Sequence, residues 1–324
     1  MASAARRLLP TTLRLVVCAV ALWWVLRSLS WEGLRTLLRQ ADGRSLAAAL
    51  AVLAPVPFLL AVRLAWLLRA NGVAIGLWRA VAVTFAGLFA NFVLPGQTGG
   101  DVVKAVYLAR DTHRRHEAAT VVFFDRVLGL MCVVLLSGVM LLANWRDPAV
   151  RGWGRTIGLA FVVILVPCVL YFSATVRRLL GRTGLLERLP LREHLRRVDQ
   201  AVLAYRNHRG VVVRAMLLTW VLQAVSIVST YFAGRALGVV GDSDARSIQV
   251  YFVYVPLCWM AGALPISPQG LGVLEAAYTQ FLWKTAGFGS AEGAAMLSML
   301  TRVLNLAWAL PGVAVYLRSG RAGA

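Results

Sequence analysis

LPGQTGGD at Leu94–Asp101 and LPISPQGLG at Leu264–Gly272 decide how this chain folds. Each ends an apolar run, residues 80–94 and 248–264, with prolines and glycines that cannot continue a helix. At 1.5 Å per residue such a run covers roughly 22–26 Å, short of the roughly 30 Å hydrocarbon core of a bilayer. A second short helical run follows each break. Each unit therefore reads as a re-entrant hairpin, entering the membrane and leaving on the same side.

The rest of the sequence supplies the full crossings. Apolar runs long enough to span a bilayer lie near residues 12–30, 45–68, 118–143, 154–174, 211–236 and 293–317. The expected fold is an all-α polytopic membrane protein: about six transmembrane helices plus two re-entrant broken-helix hairpins, one integral membrane domain over residues 1–324. Arg6 and Arg7 precede the first run as in a signal peptide, but no small-residue cleavage site follows, so an uncleaved first span is expected.

Composition agrees, with 59% of the 324 residues hydrophobic and 15% charged. The net charge of +20 would suggest nucleic acid in a soluble protein, but the arginines cluster beside apolar runs. That is the pattern of cytoplasmic loops and anionic headgroups, and nucleic acid is excluded as a partner. With both breaks as hairpins, the side holding the N- and C-termini carries twice as many lysines and arginines as the other, and the positive-inside rule makes it cytoplasmic. Residues 175–210 form a basic cytoplasmic segment with leucines and valines at helical spacing, either a helix on the anionic leaflet or a solvated loop. Residues 31–44 resemble a shorter interfacial helix.

The chain also repeats itself. The first hairpin is followed by ATVVFFDRVLGL (Ala119–Leu130), the second by AMLSMLTRVLNL (Ala295–Leu306), both containing R-V-L-x-L. Unit one covers residues 79–143 and unit two 247–318. Three crossings separate their starts, so the units are expected in inverted topology with hairpin tips near the midplane, as in alternating-access transporters.

Candidate site residues follow from this geometry. In unit one Asn91 and Pro95 precede the break, Gly99 and Gly100 allow close backbone approach, and Asp101 and Lys104 lie in the first turn of the new half-helix. Its free N–H groups either cradle a lipid phosphate or are capped by Asp101 alone. In unit two Pro265, Gly270, Gly272 and Glu275 hold the corresponding places. Asp125, Arg126, Glu275 and Arg302 lie within apolar runs, where each would cost about 2.5–3.5 kcal/mol unpaired. Either they pair structurally, as Glu275 with Arg302, or the arginines hold phosphate with the carboxylates as counter-ions or proton carriers. Asp125 and Arg126 point about 100° apart on one helix, so each needs its own partner.

Other signals are bland. Cys18, Cys132, Cys168 and Cys258 sit in apolar runs without metal-ligand spacing. His113 and His116 flank two arginines in a polar loop, and Asp242-Ser243-Asp244 reads as an ordinary turn. No nucleophile triad, Walker or dinucleotide motif is present, so no catalytic residue, metal or cofactor is expected, and the chain is read as not an enzyme.

At NFVLPGQTGGDVVKA (Asn91–Ala105), DRVLGL (Asp125–Leu130) and LPISPQGLGVLE (Leu264–Glu275) the chain resembles the lysylphosphatidylglycerol synthase transmembrane-region family, the flippase-like integral membrane proteins. The likeness runs from about residue 10 to 318. Lys104 departs from it, standing where the family pattern has arginine, so a single donor group replaces a bidentate one. Better-known members carry a soluble aminoacyl-transferase domain after this region and move the aminoacylated lipid to the outer leaflet. These 324 residues hold no such domain, so the resemblance implies a flippase or scramblase in the inner or plasma membrane. Its cargo would be a phospholipid, an aminoacyl-phospholipid or a polyprenyl-phosphate-linked lipid. Two alternatives stand beside it: a non-transporting partner subunit of a lipid-modifying enzyme, and a lipid-linked-sugar transferase. Expected partners are membrane lipids, a second copy of the chain, or that enzyme.

Overall fold

The computed structural model describes residues 41–93, 99–112, 115–148, 150–151, 205, 208–263 and 271–318. The spans expected at 12–30 and 154–174, nearly all of the basic segment 175–210, and Pro95, Pro265 and Gly270 lie outside the described residues. Every described element is helical. Among the described residues four apolar stretches are long enough to cross a membrane: Gly43–Ala70, His116–Ala143, Arg209–Ala236 and Ala291–Val315. The chain is a polytopic all-α membrane protein.

Two of these stretches are broken where the sequence reading ran one helix through. The first is α1 (Gly43–Leu53) followed by α2 (Val56–Ala70). Pro55 stands at the joint and Pro57 in the first turn of α2, where a missing N–H costs least. α1 starts at Asp42, whose carboxylate accepts from the Ser45 hydroxyl and the Arg44 and Ser45 N–H groups; these bonds hold its pKa below the usual carboxylate value. α2 ends where Gly72, at φ 74°, lets the Val73 N–H reach the Leu68 carbonyl.

The first broken unit is α3 (Leu77–Val93) and α4 (Gly99–Thr112). They run antiparallel. Arg79, near the start of α3, binds Asp111, near the end of α4, through both carboxylate oxygens at 2.6 and 2.9 Å. Toward the tip the helices touch backbone to backbone: a Cβ on Gly100 would sit 2.2 Å from the Gly87 carbonyl oxygen. Only glycine fits there, so the second glycine of the broken motif is a packing requirement. The long helix α5 (Arg115–Ala143) follows.

α6 (Arg209–Ala236) leads to the second hairpin, formed by α7 (Asp244–Gly262) and α8 (Val273–Tyr278), which runs on into a π-helical turn at Thr279–Thr285. Antiparallel pairing recurs, with Tyr254 stacked on Phe281 and a Cβ on Gly262 only 2.7 Å from Leu274. Phe288 presses on Gly241 at the open end. α9 (Ala291–Ala309), capped by Ser290, gives way at Leu310 to α10 (Pro311–Arg318), which crosses α3 so closely that a Cβ on Gly312 would lie 2.1 Å from the Phe85 carbonyl oxygen.

The buried side chains form two main cores. One gathers Leu64, Leu68, Val83, Leu108, Val121 and Leu128 from α2 to α5. The other gathers Leu53, Ile227, Tyr251, Tyr278, Leu282 and Leu297 from α1, α6, α7, α8, the π turn and α9. Three long elements belong to both: α5 contributes Val121 to the first and Leu141 to the second, α6 contributes Ala215 and Ile227, and the Gly43–Ala70 stretch is divided near its Pro55 break. At one end Tyr205 donates to the Leu67 carbonyl, and the short 71–76 turn leads from there into the open end of the first hairpin. At the other end the Asp42 N–H donates to the Ala236 carbonyl, beside the open end of the second hairpin. The surface toward the surroundings is apolar, with Trp78 81% and Leu142 74% exposed, as a lipid-facing surface requires.

Candidate functional site

The described helix ends beside both breaks reach a level midway along the long helices, at the seam between the two cores. An open cavity of about 530 Å³ lies there. Asn91 and Phe92, the end of α3, face it from the first hairpin; Trp259 and Leu274, either side of the second break, face it from the second. Most of the wall is apolar: Leu53, Leu60, Leu88, Leu222, Leu304 and Trp308. Against this stand one polar stripe and two arginines.

The half-helix of unit one begins at Gly99, as expected. Its cap, however, is Asn91, whose Oδ1 accepts the Gly100 N–H at 2.8 Å. Asp101 is freed from capping and turns to the long helix: its Oδ2 accepts from Arg126 Nη1 at 2.7 Å, and Lys104 Nζ lies 3.8 Å from its other oxygen. Lys104 is buried with its stem along Gly87, whose missing side chain makes the room.

Unit two repeats the pairing with a different cap. Gly272, at φ 80°, turns the chain into α8, and its N–H donates to Glu275 Oε2 at 2.6 Å. The same carboxylate binds Arg302 of α9, Nη2 to Oε1, at 3.2 Å. In both units a carboxylate in the first turn after the break grips an arginine on the following long helix. The sequence reading left the start of α4 either capped by Asp101 or cradling a phosphate; here Asn91 accepts the Gly100 N–H, and in unit two Glu275 combines cap and ion pair.

Asp125 and Arg126 find separate partners, as their 100° divergence demands. Asp125 Oδ1 accepts from Arg63 Nε at 2.7 Å, with both side chains more than nine-tenths buried. Arg63 Nη1 also donates to Thr219 Oγ1 at 2.9 Å. Sequence reasoning missed Arg63. It lies in mid-run among leucines and alanines, and the signal was Asp125 itself, a buried carboxylate whose neighbour Arg126 points away.

Of the candidate residues, Asn91 and Arg302 line the cavity; Arg63, Thr219 and Gln223, which were not candidates, also line it. Gly99, Gly100, Asp101, Lys104, Asp125, Arg126, Gly272 and Glu275 stand behind the wall, shaping the breaks or pairing with arginines. The charge pattern follows from this layering. Among the described residues lining the cavity two are arginines and none is a carboxylate. Asp125 and Glu275 hold Arg63 and Arg302 from outside the lining, which orients each guanidinium and gives it a counter-charge inside an apolar fold. Such a cavity suits a ligand that is anionic at one point and apolar elsewhere.

The model of one protein family, described as the lysylphosphatidylglycerol synthase TM region, matches residues 11–312. The chain belongs to this family. No curated protein and no solved structure matches it.

Proposed function

We propose that this member of the lysylphosphatidylglycerol synthase TM-region family moves a phosphate-bearing lipid between leaflets, with the headgroup passing through the mid-span cavity and the chains along its apolar wall. The observation that carries the reading is a cavity at mid-span height whose described lining holds two arginines and no carboxylate. Charges are retained at that depth only at substantial cost, and facing a polar pathway is the usual reason. The cargo class is a phospholipid, an aminoacyl-phospholipid or a polyprenyl-phosphate-linked lipid.

In this reading the segments 79–143 and 247–318 are inverted repeats that re-enter from opposite faces, with both termini cytoplasmic. Support comes from the open ends of the hairpins: one lies at the Ala70 end of the first described span, the other at its Gly43 end. Single cysteines at Arg110 and Glu292 test it, since an impermeant reagent on intact cells should label only the second. Equal labelling would exclude the arrangement.

Translocation itself is tested in proteoliposomes with fluorescent lipids and an impermeant quencher. Arg302→Ala should slow exchange at least tenfold, about what one hydrogen bond to a charged group contributes. A second reading, a non-transporting partner of a lipid-modifying enzyme, draws on the fact that Asp101, Asp125 and Glu275 are all engaged in ion pairs. No exchange of any headgroup by the wild-type protein would favour it.

A further inference from the structure

The cavity comes to the surface on α9. Among the described residues that line it, only Asn305 is exposed, its Nδ2 turned back to the Thr301 carbonyl at 2.7 Å. Asn305 stands two residues past the centre of the Ala291–Val315 stretch, about 3 Å along the axis. It fills the variable place of its R-V-L-x-L repeat, and the residue in that place of the other unit, Gly129, lines the cavity as well. The joint between α1 and α2 lines the same cavity with Leu53, Val56, Pro57 and Leu60, and lies at the centre of its own stretch, Gly43–Ala70. Trp308 ties the two elements together: it lines the cavity, and its Nε1 donates to the Leu50 carbonyl at 3.0 Å on the exposed side.

Depth decides what such an opening faces. Near the end of a span it would meet water. At the centre it meets hydrocarbon, which extends roughly 15 Å to either side. The surroundings of Asn305 agree, since Leu53, Val56, Pro57, Leu60, Leu304 and Trp308 make that part of the lining apolar. An exposed amide at this depth is costly unless it borders a polar pathway. Size points the same way. The cavity, about 530 Å³, is that of a pocket for a drug-sized ligand. It takes a headgroup with its phosphate, but not two acyl chains or a polyprenyl chain in addition. A lipid held there by its headgroup needs a way out for its chains at the same depth.

We infer that the gap between α9 and the α1–α2 joint is a side portal to the bilayer, with Asn305 at its lip and the Trp308–Leu50 bond at its edge, and that the chains of the cargo lie through it. The inference rests on the reading of the cavity as a lipid-headgroup site. It gives the cargo a route on which only the headgroup enters the protein, while the chains stay in hydrocarbon throughout.

The test has two arms, both on the full-length chain in vesicles. In the first, a nitroxide is attached to Asn305→Cys, with Cys18, Cys132, Cys168 and Cys258 replaced by alanine. Its collisions with oxygen, which concentrates in hydrocarbon, should exceed those with a water-soluble nickel chelate. The reverse order would show an opening that faces water and overturns the inference. In the second arm Asn305→Trp fills the lip and should slow leaflet exchange about tenfold, within the range that overfilling a packed space costs. Val139→Trp, on the exposed apolar surface away from the cavity, should leave exchange unchanged. An Asn305→Trp protein that melts like wild type and exchanges lipid at the wild-type rate also overturns the portal, and leaves translocation standing. Wild-type protein that exchanges no lipid removes translocation, and the collision arm then decides by itself what the opening faces.

Discussion

Replacing Asp125 by leucine leaves Arg63 without its carboxylate in a place where its side chain is 7% exposed. Breaking a buried pair from one side costs about 3–5 kcal/mol, because the remaining charge keeps its desolvation penalty and loses its attraction. Thr219 alone replaces only a fraction of the bond that Asp125 supplied at 2.7 Å. At about 2 °C per kcal/mol for a chain of this size, the apparent melting temperature in detergent should fall by about 6–10 °C. Adding Arg63→Met removes the stranded charge. The double variant should recover to within about 1–2 kcal/mol of wild type, since a well-packed apolar replacement for a buried ion pair is often neutral. Its leaflet exchange should nevertheless stay at background if the proposed function holds, because in that reading Arg63 is one of the two guanidiniums that meet the phosphate. Scanning fluorimetry and the exchange assay on the same preparations decide the matter. A double variant no more stable than Asp125→Leu alone would show that the pair is not self-contained. One that restores exchange would show that Arg63 serves only to neutralise Asp125.

Gly100→Ala should open the first hairpin, since its Cβ would fall 2.2 Å from the Gly87 carbonyl oxygen and 2.5 Å from Asn91 Oδ1; the loss, about 2–4 kcal/mol, is measurable by denaturant unfolding. Gly312→Ala meets the Phe85 carbonyl oxygen at 2.1 Å and should detach α10 from α3, seen as faster amide exchange in Val313–Val315. Glu275→Gln keeps an acceptor for the Gly272 N–H and loses only the charge pair with Arg302, whereas Glu275→Ala loses both; unfolding should find the alanine variant weaker by about 1 kcal/mol. Asp42 has its pKa below the ordinary 3.8, so the stability it lends the start of α1 is complete above that value and is lost as pH falls through the lower folded one. Amide protection at Arg44 and Ser45 between pH 5 and about pH 2 should show this dependence, and Asp42→Asn should abolish it.

The fold was largely legible because lipid leaves few options: apolar runs of the right length are helices, and proline beside glycine ends them. Both hairpins were readable from LPGQTGGD and LPISPQGLG, and the pairing of Glu275 with Arg302 from two charges that had to be neutralised. The Pro55 and Pro311 breaks were less legible. A proline in a first helical turn removes no hydrogen bond, so the apolar run passes through it without a change in pattern. The cavity wall was the least legible part. Thr219, Gln223, Ser226 and Thr230 share one helix face, but small polar residues are common in membrane helices, and which side faces a cavity is set by packing of distant segments. Asn91 as the cap of α4 depended on how closely Gly87 and Gly100 meet, which spacing alone does not give.

The division of the first described span between two cores bears on the order of assembly. α2 can begin to settle against α3, α4 and α5 soon after they are made, although Arg63 and Leu67 still wait for Thr219 and Tyr205. α1 cannot. Its carbonyls at Ala49 and Leu50 accept from Ser229 and Trp308, partners 180 and 258 residues further along the chain. Contacts so remote in sequence form late. The first helix described is therefore locked in place late: its bonds from Ser229 and Trp308 form only once α6 and α9 have entered the membrane.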